Sequence, residues 1–252
     1  MSEILSCENI SVRYDDQIVI EDLSFSVSYG DYLCIVGDNG AGKSTLLKCI
    51  LGLKSLSGGT LRFADDFKKN QIGYVPQKSE TEEGFPATVT EVVLSGCINR
   101  HGLVSFYSKQ EKKRAQEVLD ELALKDLSSK SINELSGGQI KRVMLARALM
   151  ASEKLLVMDE PVAALDPIAT KEFYSTVEKL HDEGMTVIMV SHDIHAAVHN
   201  ATHILHLSNR LPNFFGTKEA YLKSDIGHTY LGTHGNCAQC HTHLVDYKYE
   251  SV

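Results

Sequence analysis

The residues best suited to chemistry in this sequence form a glycine-rich run that ends in lysine and serine. Residues 37–44 read GDNGAGKS, fit the pattern G-x-x-x-x-G-K-[ST], and lie between the apolar run YLCIV and the helical pattern KSTLLKCILGL. Glycines let backbone N–H groups curl around phosphate oxygens, and a helix start adds partial positive charge. We therefore predict a nucleotide site in which Lys43 reaches the β- and γ-phosphates and Ser44 ligates Mg²⁺. The loop residues predicted to bind nucleotide are Gly37, Asn39, Gly40, Gly42, Lys43, Ser44 and Thr45.

Two adjacent acids are the second candidate for chemistry. Asp159 and Glu160 stand at the C-terminal end of the apolar run LLVM, and ligands of open α/β sheets bind at that edge. Because the chain bends at a strand end, both carboxylates can face one site. We expect Asp159 to contact Mg²⁺ and Glu160 to be the base for an attacking water. The competing interpretation is two acids in an exposed turn.

A second pair of glycines lies in LSGGQ, residues 135–139, just before a helical pattern. Ser136 is suited to cap that helix, and its N-terminus would be a second anion site. Two phosphate-binding ends in one chain predict a head-to-tail pair. In that pair the LSGGQ run of one copy covers nucleotide held by the glycine-rich loop of the other.

Cysteines and histidines cluster near the C-terminus, in HGNCAQCHTH, residues 234–243. This spacing fits a metal site, a c-type haem attachment or no site at all. Haem attachment takes place outside the cytosol, and the chain shows no export signal. Thiolate and imidazole suit Zn²⁺, whereas Mn²⁺ prefers oxygen donors. We predict zinc binding, with a non-binding tail as the alternative. The candidate ligands are Cys237, Cys240, His241, His243, His234 and His228.

The elements that must position these residues alternate between strands and helices. Three β-rich runs, ILSCENISVRY, IVIEDLSFSV and YLCIV, open the chain, and helical patterns dominate residues 88–149. Two apolar strands, KLLVM and TVIMV, then flank a helix at residues 167–181. Such alternation predicts an α/β fold with a mostly parallel sheet covered on both faces.

Composition narrows the class of protein. The chain has 252 residues, 43% of them hydrophobic, which is enough for a sizeable core. With 33 acidic and 25 basic residues its net charge is -8, which argues against nucleic acid as a partner. No apolar run reaches the roughly 18–20 residues that span a bilayer, so we expect a cytosolic chain. Four scattered cysteines are predicted to be small buried side chains: Cys7, Cys34, Cys49 and Cys97.

The order of the motifs resembles that of ATP-binding-cassette (ABC) ATPases. GDNGAGKS, GYVPQ, LSGGQIKRVMLARAL, LLVMDEP, AALD and SHD follow one another, and the resemblance extends to about residue 215. It implies a P-loop NTPase (RecA-like) parallel-sheet core with an N-terminal antiparallel β portion and an inserted helical subdomain. The implied limits are 1–227 for the ATPase domain, about 1–84 and 150–227 for its core, about 85–149 for the helical subdomain, and 228–252 for a Cys/His-rich tail.

The resemblance also implies roles for single residues. Tyr14 would stack on the adenine of ATP, and Gln77 would sense Mg²⁺ and the membrane partner. Asp166 would lie at the dimer seam, and His192 would contact the γ-phosphate. The residues implied to bind nucleotide across the dimer are Ser136, Gly137, Gly138 and Gln139. The implied catalytic set is Glu160, His192, Lys43 and Gln77, and the implied Mg²⁺ set is Ser44, Gln77 and Asp159.

Three of these residues have ordinary alternatives. Tyr14 also fits a core or surface aromatic, Gln77 a polar turn residue, and His192 a capped histidine at the end of a buried strand.

The segment GFPATVTEVVLSG follows the GYVPQ motif and is similar to the same region of zinc and manganese uptake ATPases. The resemblance implies the ATPase subunit of an importer for a divalent metal, zinc or manganese. The thiolate and imidazole groups near the C-terminus favour zinc, and from their clustering alone we predict that the tail binds cytosolic zinc and regulates transport. The implied partners of the subunit are a second copy in the ATP-bound state, integral-membrane permease subunits at the cytoplasmic face and, indirectly, an extracytoplasmic metal-binding protein. Alternatives are an importer for manganese or an iron siderophore, and a soluble ABC-type assembly ATPase, as in iron–sulfur cluster building.

Overall fold

The computed structural model describes residues 2–15, 17–77, 86–98, 106–209 and 213–234. Its strands are β1 (Glu3–Tyr14), β2 (Gln17–Ser28), β3 (Tyr32–Gly37), β4 (Gly58–Phe63), β5 (Ile72–Val75), β6 (Leu155–Asp159), β7 (Thr186–Val190), β8 (His203–Leu207) and β9 (Phe214–Thr217). Its helices are α1 (Lys43–Ile50), α2 (Val89–Leu94), α3 (Lys109–Glu121), α4 (Gly137–Ala151), α5 (Pro167–Asp182), α6 (Ile194–Asn200), α7 (Lys218–Leu222) and α8 (Asp225–His234).

A six-stranded sheet forms the centre of the fold. Its strand order is β5-β6-β7-β3-β8-β9, and every pair is parallel except β8 with β9. Strand β7 is buried at every position, and β3 and β6 are buried except at their last residue, as expected for parallel strands covered on both faces. The predicted α/β fold with a mostly parallel sheet is confirmed.

A second sheet, of order β2-β1-β4, is antiparallel throughout. It is the antiparallel β portion that the resemblance implied for the N-terminus. Strand β1 is bulged near Asn9, whose φ is 47° and whose side chain donates to Asp22 at 2.6 Å. Asparagine tolerates this left-handed conformation better than most residues, which suits it to a bulge.

The two faces of the six-stranded sheet pack against different layers. Leu33 and Ile35 of β3 join the core formed with α1 and the antiparallel sheet. Cys34 and Val36, which alternate with them, join the core formed with helices α2 to α5. The period of two along a strand therefore sends alternate side chains into two separate hydrophobic cores.

The four predicted core cysteines, Cys7, Cys34, Cys49 and Cys97, are all buried, which confirms that prediction. Burial raises the pKa of the Cys7 thiol to about 12, with Cys49 adding to the shift. A thiol with so high a pKa stays protonated at neutral pH and is a poor nucleophile.

Local capping residues set where the helices begin. Thr88, Ser108 and Ser136 each accept a hydrogen bond from the N–H three residues on, and the side chain at that position bonds back to the cap. This reciprocal pairing satisfies two backbone donors that a helix start otherwise leaves open. Ser136 is therefore the N-cap of α4, as the sequence predicted.

The predicted domain limits stay a prediction. Helices α2 to α4 lie within, or within two residues of, the predicted subdomain at 85–149, whereas the limit at 227/228 falls inside α8. No helix in the described part of the chain is long and apolar enough to cross a membrane.

Candidate nucleotide site

Four neighbouring parallel strands end at one edge of the sheet and carry the predicted site residues. In the order β5-β6-β7-β3, Gln77 follows the first strand, Glu160 the second and His192 the third, and the glycine-rich loop follows the fourth. Because carboxyl ends of parallel strands meet at one edge, residues far apart in sequence become neighbours there.

The glycine-rich loop makes a turn that side chains would block. Gly37 has φ of 133°, and a Cβ there would lie 1.8 Å from the carbonyl oxygen of Leu207. Gly42 is the N-cap of α1 with φ of 96°, and a Cβ there would lie 2.9 Å from Ile20. Glycine alone tolerates both the backbone conformation and the close approach. The loop therefore leads directly from β3 into the N-terminus of α1.

Lys43 is buried and folds back over this loop. Its Nζ donates to the carbonyl oxygens of Gly37 and Asp38, each at 2.8 Å. Burial lowers the pKa of Lys43, while the charges of Glu160, Asp38 and Asp159 oppose the shift. The ammonium group is thus held inside the loop by two backbone carbonyl oxygens.

Asp159, at the end of β6, carries a carboxylate oxygen that no donor satisfies among the described residues. This oxygen, Oδ1, is buried. Burial raises the pKa of Asp159, and the adjacent charge of Glu160 raises it further. A buried carboxylate oxygen without a donor is costly unless a cation approaches it, and Mg²⁺ prefers oxygen ligands. This side chain therefore fits a magnesium ion.

The carboxylate of Glu160 joins two of the other predicted catalytic residues. Its Oε2 accepts from Nε2 of Gln77 at 2.5 Å, and its Oε1 pairs with Nε2 of His192. Glu160 is buried and has a φ of 45°, a conformation that non-glycine residues seldom adopt, while its N–H donates to Val190 at 3.0 Å. Such strained backbone is typical of functional positions.

The LSGGQ residues are positioned separately, beside the start of α5. Gly137 and Gly138 face Leu165 and Ala169, since a Cβ on either would lie 3.8 and 3.1 Å from those side chains. Asp166 caps α5 by accepting from the N–H of Ala169 at 2.9 Å. Contact of these residues with nucleotide stays a prediction that requires a second copy of the chain.

Tyr14 is at the surface, with 38% of its area exposed. Nζ of Lys54 lies 4.1 Å from the centroid of its ring, in the geometry of a cation–π contact. No sequence pattern predicts this lysine as part of the site. A 40-residue separation between the two side chains leaves no local signal of their contact.

Most of the predicted zinc ligands lie outside the described residues. Cys237, Cys240, His241 and His243 lie outside the described residues, while His228 and His234 belong to α8. Within the described ranges, no three histidine, cysteine or acidic side chains are grouped as for a metal ion. Zinc binding by the tail therefore stays a prediction.

A contact between α8 and the glycine-rich loop is likewise not predictable from the sequence pattern. Oη of Tyr230 donates to Oδ1 of Asp38 at 2.8 Å. Oδ2 of Asp38 accepts from the N–H of Asn209 at 3.0 Å and the hydroxyl of Ser208 at 3.3 Å. Burial acts to raise the pKa of Asp38, but these three hydrogen bonds outweigh it and keep the pKa below its usual value.

The sequence profile of the family described as ABC transporter matches residues 20–163, more than half of the chain. The chain belongs to the ABC transporter family. It is 38% identical over 218 residues to the zinc uptake system ATP-binding protein ZurA of Listeria innocua, covering 84% of this chain and 85% of that protein. It is 36% identical over 228 residues to the manganese transport system ATP-binding protein MntB of Bacillus subtilis, covering 89% and 91% of the two chains.

Solved structures of ABC proteins share the fold. One is a metal-chelate type ABC transporter in an inward-facing conformation, with a TM-score of 0.81, 31% identity, and coverage of 92% of this chain and 90% of that one. Another is the ADP conformation of an ATP-binding cassette, with a TM-score of 0.77, 28% identity, and coverage of 92% and 100%. This ABC protein is accordingly an ATPase coupled to transport, which uses ATP and Mg²⁺, forms a dimer and binds a membrane permease.

Substitution of Gly37 tests whether its close approach to Leu207 constrains the glycine-rich loop. We expect Gly37→Ala to lower the free energy of unfolding by about 3 kcal/mol or more, because its Cβ would overlap the Leu207 carbonyl. Gly30→Ala is the matched control, since Gly30 has φ of 81° but a Cβ added there would meet no atom within 4 Å. Only the left-handed conformation should therefore lower its free energy of unfolding, by about 1 kcal/mol. Urea unfolding of both variants measures the difference. Equal losses would show that the close approach to Leu207 does not constrain the loop.

Proposed function

We propose that this ABC protein is the ATP-hydrolysing subunit of an importer for a divalent transition metal, with zinc as the transported ion. The observation that supports the ATPase site is that Gln77 and His192 both contact the carboxylate of Glu160. Lys43 and Asp159 lie at the same edge of the sheet. The observation that favours zinc is the likeness to a protein named as part of a zinc uptake system.

In the proposed site the chain provides mainly position and charge. Lys43 and the N-terminus of α1 bind the phosphates, and Ser44, Gln77 and Asp159 hold Mg²⁺. Mg²⁺ held by these residues would supply positive charge to offset that of the phosphates during cleavage of the terminal P–O bond. Glu160 accepts the proton of the attacking water. The loop residues that complete the binding set are Gly37, Asn39, Gly40, Gly42 and Thr45.

His192 has two proposed tasks that follow from its contact with Glu160. It holds the carboxylate in place before ATP binds, and it contacts the γ-phosphate afterwards. Its imidazole is 54% exposed, so it is accessible to a ligand that enters the site. Gln77 holds the other carboxylate oxygen, which makes Glu160 the shared partner of both side chains.

A second copy completes the proposed site. The N-terminus of α4, with Ser136, Gly137, Gly138 and Gln139, would cover ATP held by the loop of the other copy, because a helix N-terminus with free N–H groups attracts phosphate. Asp166 would lie at the seam between the copies. Tyr14 would stack on adenine, and Nζ of Lys54 lies over the tyrosine ring. Permease subunits would keep the pair at the cytoplasmic membrane face, below an extracytoplasmic metal-binding protein.

The choice of zinc over manganese has chemical support in the C-terminal tail. Cys237, Cys240 and the neighbouring histidines offer thiolate and imidazole, which suit Zn²⁺ better than Mn²⁺. Manganese is the second candidate, because the Bacillus subtilis relative is named as part of a manganese transport system. The ATPase domain is proposed to span 1–227, with its helical subdomain at about 85–149 and the tail at 228–252.

The tail is proposed to bind cytosolic zinc and to slow transport when the metal is plentiful. The candidate ligands are Cys237, Cys240, His241, His243, His234 and His228. The support is the course of α8, which places Tyr230 against the glycine-rich loop and ends at His234, three residues before Cys237 in the sequence. Metal held just beyond α8 would therefore act on an element that already contacts the ATP site.

Growth under metal limitation tests the transported ion. Loss of the gene should slow growth in medium depleted of zinc, and added zinc should restore it, because uptake would lack its motor. Depletion of manganese should leave the mutant and the parent equal. Complementation with the Lys43→Ala variant should fail, which ties the effect to the ATP site. A growth defect confined to manganese depletion would favour the manganese alternative.

The role of Glu160 is tested by Glu160→Gln. We expect kcat for ATP hydrolysis to fall at least about 100-fold, because an amide cannot accept the proton of water. The amide still forms hydrogen bonds, so ATP should bind and an ATP-bound dimer should accumulate, as measured by size-exclusion chromatography with Mg²⁺ and ATP. Glu172→Gln, at an exposed position of α5, is the control. Normal turnover by Glu160→Gln would remove Glu160 from this role.

The tail is tested by zinc titration of the full chain beside a Cys237→Ser/Cys240→Ser variant. We expect the variant to lose tight binding of one zinc ion per chain, since serine replaces both thiolates. The substitutions leave Tyr230 and the rest of α8 intact, so ATP hydrolysis without zinc should be unchanged. Equal zinc stoichiometry in the two proteins would contradict the proposal.

A further inference from the structure

Asp38 is the acidic residue of the glycine-rich loop, and three donors hold its carboxylate. Tyr230 binds one oxygen, while Ser208 and Asn209 bind the other. Ser208 and Asn209 follow β8, whereas Tyr230 comes from α8, 192 residues along the chain from Asp38. The loop predicted to hold phosphate is thus fastened to the last described helix.

The position of α8 is itself closely determined. A Cβ on Gly227 would lie 2.0 Å from the carbonyl oxygen of Tyr221, so only glycine lets α8 approach α7 this closely. The N–H of Gly227 also donates to Oγ of Ser224 at 3.0 Å, which fixes the first turn. Close packing at the start of the helix determines which side chains can reach the loop from its second turn.

The ring of Tyr230 packs against a buried histidine. The centroids of Tyr230 and His206 are 4.2 Å apart, and Nδ1 of His206 lies 2.7 Å from the hydroxyl oxygen of Tyr221. Burial lowers the pKa of His206 to about 4, with Asp38 opposing the shift, so the ring is neutral at pH 7. A rigid, uncharged neighbour therefore orients the tyrosine whose hydroxyl group binds Asp38.

The carboxylate of Asp38 needs these hydrogen bonds because it is negatively charged and lies in a loop proposed to bind an anion. ATP is an anion, and a free carboxylate in the loop would repel it. The same carboxylate would also compete with phosphate for Lys43, whose Nζ already donates to the backbone oxygen of Asp38. Three hydrogen bonds spread the negative charge and hold it toward β8 and α8.

We propose that Tyr230 is a positioning residue of the ATP site, which keeps the Asp38 carboxylate against β8 and α8 so that the loop and Lys43 remain available to phosphate. The inference rests on the proposed ATP site at this loop. It concerns a side chain that does not touch the reacting atoms, and it gives α8 a direct influence on nucleotide affinity.

The test compares two tyrosines that make the same hydrogen bond in different places. Tyr230 and Tyr29 each donate to an aspartate oxygen at 2.8 Å, and the partner of Tyr29 is Asp66, outside the loop. In the full chain, Tyr230→Phe should raise the KM for ATP and the Kd for Mg²⁺-bound ADP roughly fivefold, with kcat within about twofold. Tyr29→Phe should leave KM, Kd and kcat unchanged. Unaltered ATP and ADP affinity in Tyr230→Phe overturns the proposal, as does an equal effect of Tyr29→Phe.

A double-mutant cycle separates positioning from a general loss of structure. If Tyr230 acts through Asp38, Tyr230→Phe should not weaken ADP binding further in an Asp38→Ala background. A similar fivefold loss in that background would show that Tyr230 acts by another route, and would overturn the inference. Lys43→Ala tests the underlying site independently. Normal ATP affinity in Lys43→Ala would contradict the ATP site itself, whereas weak binding there with an unaffected Tyr230→Phe would contradict only the role of Tyr230.

Discussion

The burial of opposite charges at one edge of the parallel sheet is the constraint on which the rest of the structure depends. Lys43, Asp159 and Glu160 are close enough to influence one another, and Lys43 and Glu160 are almost fully buried. Burial lowers the pKa of Lys43 and raises that of Asp159, so each charge is costly on its own. The two carboxylates repel each other, and Lys43 stabilises them only while β3 and β6 keep their places in the sheet. An anion and a cation that enter together, as ATP and Mg²⁺ do, would complete this arrangement.

Helix α4 links two regions of the proposed site that are far apart in sequence. Its N-terminus carries the LSGGQ glycines, and Nζ of its Lys141 donates to the carbonyl oxygen of Gln77 at 2.5 Å. The helix packs closely on β5, because a Cβ on Gly73 would lie 2.5 Å from the carbonyl oxygen of Ala148. A movement of Gln77 would therefore move α4 as well, since closely packed backbone leaves the helix few alternative positions.

Sequence predicted the parts of the site that depend on local pattern. The glycine-rich turn, the cap at Ser136 and the buried strands around LLVM and TVIMV are each set by neighbours along the chain. The contacts of Tyr14 with Lys54 and of Asp38 with Tyr230 were not predictable, because they join residues brought together only by the whole fold. The edge strand β9 also escaped prediction: FFGT is short, and its pairing with β8 is a tertiary property.

The contacts within the described residues limit what the C-terminal tail can do. The described residues already bring Lys43, Asp159, Glu160, Gln77 and His192 to one edge, so the tail is not needed to assemble the proposed catalytic groups. One described connection to them passes through α8 and the hydrogen bond of Tyr230 with Asp38. That bond touches the loop proposed to bind phosphate rather than the proposed base, Glu160. A tail that acted by this route would therefore change how tightly ATP binds more than how fast bound ATP is hydrolysed, because the proposed base Glu160 and its partners Gln77 and His192 follow β6, β5 and β7 rather than β3.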